Sequence, residues 1–109
     1  MFISIEKQIA RAVLEALDKE GIPHWIDYEG GYEPSGVSSL DPIDKRINEL
    51  FACDEGYIMT GRTDDDEPAD AFIHFIWANG NGGRDCISDY SCSLESIIGP
   101  ISEAADKCF

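Results

Sequence analysis

Positive charge is scarce in this sequence: 8 Lys and Arg stand against 22 Asp and Glu, for a formal net charge of −14. A surface so composed repels nucleic acid and anionic membranes and attracts basic proteins, so direct nucleic-acid binding is excluded as a leading reading. Long apolar runs are absent too. None approaches the ~18 residues that a membrane-spanning helix needs. The opening "MFISIEKQIA" has no basic segment followed by an apolar one, and Glu6 and Lys7 interrupt it. A signal peptide is therefore not expected, and the cytosol is the expected compartment.

Metal-binding and catalytic patterns are equally sparse. Cys53, Cys86, Cys92 and Cys108 show neither C-x2-C nor C-x4-C spacing, and His24 and His74 are the two histidines. A tetrahedral zinc site is not expected, and free, mostly buried thiols are favoured over a disulfide framework. "TDDDEPADA" lacks the glycine at the sixth position and the glutamate at the twelfth of a calcium loop. "GNGGRD" fits a hairpin turn better than a single copy of a calcium-binding nonapeptide, and no Lys-Ser or Lys-Thr follows it to cradle phosphate. His74 with Cys86 as cross-strand neighbour is the nearest thing to a nucleophile–base pair. No nucleophile elbow or cysteine-enzyme signature surrounds it. No cofactor, metal or catalytic residue is expected.

What is present is an ordinary core. At 43% hydrophobic and 10% aromatic residues, the 109-residue chain can bury one, and a single domain over 1–109 is expected. "SIEKQIARAVLEALDKEGI" predicts a helix capped by Ser4, with Ile5, Ile9, Val13 and Leu17 on one stripe. Gly21 supplies a left-handed stop, with Ile22 folding back on the last turn. "LDPIDKRINELFACDEG" predicts a second, short helix with Asp41 as cap and Pro42 at its first position, ending near "DEG". Between them "HWIDYE" can form a short edge strand, but Gly30, Gly31, Pro34 and Gly36 make the rest read as loop.

Three strands follow: "GYIMTGR", the central "DAFIHFIWA" and "RDCISDY", the last two joined by the turn "NGNGG". The tail "SLESIIGPISEAADKCF" predicts a helix capped by Ser93, kinked or broken at Gly99-Pro100. The expected fold is α+β: two N-terminal helices, a three-stranded antiparallel β-meander, and a C-terminal helix packed on the sheet.

The charge is unevenly placed. From Asp54 to Asp70 seven acids (Asp54, Glu55, Asp64, Asp65, Asp66, Glu67 and Asp70) face Arg62 alone. Five of them fall in the connection between two strands expected to pair, which gives the charges a defined position. Asp27, Glu29 and Glu33 stand beside Trp25, Tyr28 and Tyr32, a mixture of acid and aromatic that suits a contact surface. These ten acids are the candidate partner-binding residues. A compact chain of this length is about 34 Å across, and a DNA duplex of that length carries about 20 phosphates. The 22 carboxylates are of comparable number.

The segment "NGNGGRDCISDYSCSLESIIGP" resembles a C-terminal pattern of small, acidic proteins of bacteriophages and mobile elements. In that pattern a turn with NG leads into "ISDYS" and then a capped helix beginning "LE". The match covers about 22 residues that look structural. By size and acidity the pool includes anti-CRISPR proteins, several of which mimic DNA on the basic groove of their target. The resemblance implies a non-enzymatic inhibitor in the cytoplasm of a bacterial host. Its partner would be a basic host protein, such as the DNA-binding surface of a CRISPR surveillance complex. It carries over no functional residue. Two alternatives stay open: an immunity-type protein that neutralises a basic nuclease toxin, and a small ligand-binding or enzymatic domain without a recognisable motif.

Overall fold

Helix α1 (Ile5–Lys19) starts where the sequence says it should: Ser4 Oγ accepts the Lys7 amide at 3.2 Å. The computed structural model describes residues 4–28, 33–60, 71–77 and 86–107. Helix α1 stops at Gly21, whose φ of 67° is open to glycine without strain. The Ile22 amide reaches Leu17 O and the Gly21 amide reaches Asp18 O, both at 3.0 Å, a Schellman closure that turns the chain toward the sheet.

The chain continues as β1 (His24–Tyr28), β2 (Glu33–Ser38), α2 (Ile43–Leu50), β3 (Glu55–Thr60), β4 (Ala71–Ile76) and β5 (Ile87–Tyr90). A 3-10 turn (Cys92–Leu94) leads into α3 (Glu95–Lys107). The α+β class holds, but the sheet has five antiparallel strands in the order β2-β1-β3-β4-β5, not three. The expected meander is the β3-β4-β5 part of it. The two helices expected to precede the sheet are separated by β1 and β2, so only α1 does so.

"HWIDYE" was expected at an edge, whereas β1 is hydrogen-bonded on both sides, to β2 and to β3. Glu33–Ser38, expected as loop, is the real edge strand. Pro34 is tolerated there because an edge strand leaves outward amides unpaired anyway. Gly36, at φ 87°, absorbs a local distortion without ending the strand.

Two helix starts also differ from expectation. Asp41 does not cap α2; its carboxylate turns back to accept the Ser38 amide at 2.9 Å, and Pro42 takes the N-cap position. Ser93 lies inside the 3-10 turn rather than at a cap. Helix α3 runs through Pro100 as one element. The carbonyl that loses a backbone donor there belongs to Ser96, and Ser96 and Pro100 are both exposed, so water can take the place of that donor. The "NGNGG" turn lies outside the described residues.

All three helices share one core. Ile9, Val13, Leu14 and Leu17 of α1, Ile47 and Leu50 of α2 and Ile98 of α3 pack with Ile26, Ile58, Ile73, Phe75 and Cys86. Ile26, Ile58 and Ile73 are cross-strand partners, one row on the helix-covered side of β1, β3 and β4. Each such burial contributes roughly 1.5–3 kcal/mol. Among the described residues no helix is long and apolar enough to cross a membrane.

Candidate functional site

Side chains alternate across a strand, so the residues between the core positions point to the sheet's other side. There, register places one row across four strands: Asp27 opposite Tyr57, Tyr57 opposite His74, and His74 opposite Asp89. A neighbouring row is Trp25, Met59 and Phe72. No described helix covers this face, since all three pack into the core on the opposite side. Its apolar members Trp25, Met59, Phe72 and Ile76 are half-buried by their neighbours.

The row has unusual polar geometry. The rings of Tyr57 and His74 stack with centroids 4.3 Å apart and planes 9° from parallel. His74 Nε2 lies 3.3 Å from Glu55 Oε1, within ion-pair reach but off hydrogen-bonding geometry. Asp27 is 3% exposed, with the Trp25 side chain acting on its carboxyl. Asp27 Oδ1 nevertheless has no partner. Among the described residues, Asp27 Oδ1 and His74 Nε2 are the two buried side-chain polar atoms left unsatisfied, and both belong to this row. Burial holds the Asp27 carboxyl above its ordinary range, against the opposing effect of the Trp25 side chain. Burial, followed by the Glu55 charge, likewise raises the Tyr57 phenol.

The charges have segregated with the elements. The five strands contain Asp27, Glu33, Glu55 and Asp89 and no Lys or Arg. Six of the eight cations, Lys7, Arg11, Lys19, Lys45, Arg46 and Lys107, lie on helices. Three of them are engaged by acids: Arg11 with Asp44 at 2.5 Å, Lys45 with Asp41 at 3.3 Å, and Arg46 with Asp18 at 2.9 Å. The helix-free face therefore carries no cation of its own among the described residues.

The described candidate acids gather toward one end of the sheet. Asp27 and Glu55 share the helix-free face, and Asp54 and the backbone of Glu33 lie at the same end of the sheet. Thr60 and Ala71, the ends joined by residues 61–70, are cross-strand partners at the opposite end of the six-residue β3. At the ~3.4 Å rise of a strand, the two ends are roughly 17 Å apart. The pairing of the flanking strands is as expected; Asp64, Asp65, Asp66, Glu67 and Asp70, with Glu29, lie outside the described residues.

Cys86 and His74, the nearest pair by sequence, lie on opposite sides of the sheet. Cys86 is fully buried in the core, whereas His74 points to the other face. Cys53 and Cys92 are free and exposed, so the expectation of mostly buried thiols fails for two of the three described cysteines.

A second constellation lies between α1, β1 and α2. Arg46, 4% exposed, donates Nη1 and Nη2 to the two Asp18 oxygens at 2.9 and 3.0 Å, and Nε to Asp41 O at 3.0 Å. Its Nη1 is also 2.9 Å from His24 Nε2, and His24 Nδ1 is 2.8 Å from Ile22 O. Neutral His24 with its proton on Nδ1 satisfies both contacts: it donates to the carbonyl and accepts from the guanidinium. Burial foremost, with the Arg46 charge, pushes the His24 imidazole below its ordinary value. The Arg46 bonds hold Asp18 below the usual carboxylate range. Each guanidinium nitrogen of Arg46 has a partner, which makes the network a staple among three elements.

The chain matches no protein-family model, no curated protein and no solved structure.

Sequence reasoning found Asp27 and Glu55 as acids but passed over Tyr57, His74 and Asp89 as their companions. Tyr57 and His74 are 17 positions apart in sequence and meet only through register. The alternation in "GYIMT" and "FIHFI" is the signal that could have found them. Arg46, His24 and Asp18 carry no such signal, because helix and strand geometry alone brings them together.

Proposed function

We propose that this chain acts as a non-enzymatic acidic inhibitor that occupies a basic nucleic-acid-binding surface of another protein, in the manner of a DNA mimic. The distribution of charge carries the reading: five strands without a Lys or Arg, and six of the eight cations on helices, where acids engage three of them. The described residues extend 39 × 27 × 22 Å. A duplex segment 39 Å long would bear about 23 phosphates; the described residues hold 15 of the chain's 22 carboxylates. Carboxylates so arranged steer a Lys- and Arg-lined groove toward the sheet side of the molecule and pair with its guanidinium groups.

A CRISPR surveillance complex, whose groove must hold nucleic acid, is the partner that the phage-protein resemblance favours. The test is capture from bacterial lysate by the tagged chain at 50 mM and 500 mM salt, with partners identified by mass spectrometry. The expected result is a nucleic-acid-binding protein retained at low salt, released at high salt and displaced by duplex DNA. Retention of only acidic or neutral partners, or no effect of salt, would overturn the reading.

A further inference from the structure

We propose that the helix-free sheet face, and not the 61–70 connection, makes the direct contact, with Asp27 receiving an arginine side chain of the partner protein against the Tyr57 ring. This rests on the acidic-inhibitor reading and gives it an address.

A buried carboxylate oxygen without a partner is costly, and native proteins rarely keep one without a use. Here Asp27 Oδ1 is such an oxygen, and it sits where β1 is irregular, between the pairs Trp25–Ser38 and Asp27–Pro34. Bulges re-aim side chains and are frequent beside binding sites. Pro34, opposite, has no amide hydrogen to offer.

His74 of β4 covers one side of the Tyr57 ring; strand order leaves the ring's other side toward β1 and Asp27. Strand spacing of ~4.8 Å sets Asp27 and His74 roughly 10 Å apart with Tyr57 between them. A guanidinium fits this seat in three respects. It is planar and stacks on an aromatic face, it donates in a fork to a carboxylate, and it stays charged when desolvated. An ammonium meets only the charge requirement. Glu55 beside the row and Asp89 at its end add negative charge with no Lys or Arg in their strands. Trp25, half-buried on the same face, rotates aside to admit the ligand.

The probes are hexa-arginine and hexa-lysine peptides, titrated into the full chain and followed by calorimetry and amide NMR. Hexa-arginine is expected to bind about tenfold more tightly than hexa-lysine, moving the resonances of Tyr57, His74 and the Trp25 indole N–H. Asp27→Asn is expected to lower hexa-arginine affinity about tenfold while the thermal midpoint at pH 7 holds or rises. A purely structural acid would lower the midpoint. Tyr57→Leu, which removes the stack without touching a charge, is expected to abolish the preference for arginine over lysine.

The seat is overturned if Asp27→Asn binds hexa-arginine like the parent, or if both peptides bind alike and perturb only residues 61–70. In those cases the acidic-inhibitor reading survives. If neither peptide binds at low salt, both fall together.

Discussion

Arg46 shows how a single cation in an acidic chain is put to structural use. It is nearly fully buried yet makes side-chain bonds to Asp18, His24 and the Asp41 carbonyl, tying α1, β1 and α2. Removing one partner of a buried pair typically costs 3–5 kcal/mol. The Asp18 side chain is 41% exposed, so water recovers part of the loss, and Arg46→Ala should cost about 2–3 kcal/mol by urea denaturation.

His24 adds a pH dependence with a definite sign. Its folded value lies below the ordinary 6.5, so the unfolded chain takes up a proton first as pH falls. Its contribution to stability is complete above 6.5 and is lost as pH drops below that value. Asp18, held low, loses its contribution only in the acid range below 3.8. Urea midpoints at pH 7 and pH 5.5 should therefore differ in the parent chain. His24→Gln, whose amide oxygen still accepts from Arg46, should narrow that difference; an unchanged difference would assign the pH response to other groups.

At the level of elements, the tightest joint is where α2 ends against β3. The Leu50 carbonyl accepts the Trp77 indole at 2.8 Å, and Trp77 stacks on Phe51 and Phe75. A methyl group at Gly56 would come within 2.9 Å of that same carbonyl oxygen and 3.1 Å of the Leu50 side chain. The obstacle is backbone at a helix end, which cannot swing away. Gly56→Ala should cost about 1–3 kcal/mol, with a change in Trp77 fluorescence as its hydrogen bond lengthens. An alanine tolerated without loss would mean that α2 shifts freely over β3. The same joint explains why β3 begins at Glu55: the chain leaves α2, and the Trp77 amide bonds Asp54 O at 3.0 Å to lock the register with β4.

For the whole molecule, the net charge of −14 is a long-range property, and its consequences should follow ionic strength. Self-repulsion weakens as salt screens it, so the thermal midpoint should rise between 10 mM and 150 mM sodium chloride. Changing Asp64, Asp65 and Asp66 to Asn and Glu67 to Gln removes four charges. That variant should slow association with the proposed basic partner and flatten its salt dependence while leaving dissociation nearly unchanged, as measured by surface plasmon resonance. Equal association rates for variant and parent would remove the 61–70 acids from the steering account.

Helix α1 was legible because its cap, its four-residue apolar spacing and its glycine stop are all local. Strands β3, β4 and β5 were legible from alternation and β-branched content. β2 was not, because Pro34 and Gly36 are locally disfavoured in strands and are kept by pairing with β1, which composition does not report. Of the candidate site, the sequence alone could supply the acids, the aromatics and the shortage of cations. Tertiary structure decided that the strands hold no cation, that Asp27 stands beside Tyr57 and His74, and that the 61–70 connection leaves from the other end of the sheet. Local spacing determines which elements form; register and strand order, set by burying one shared core, determine which residues meet.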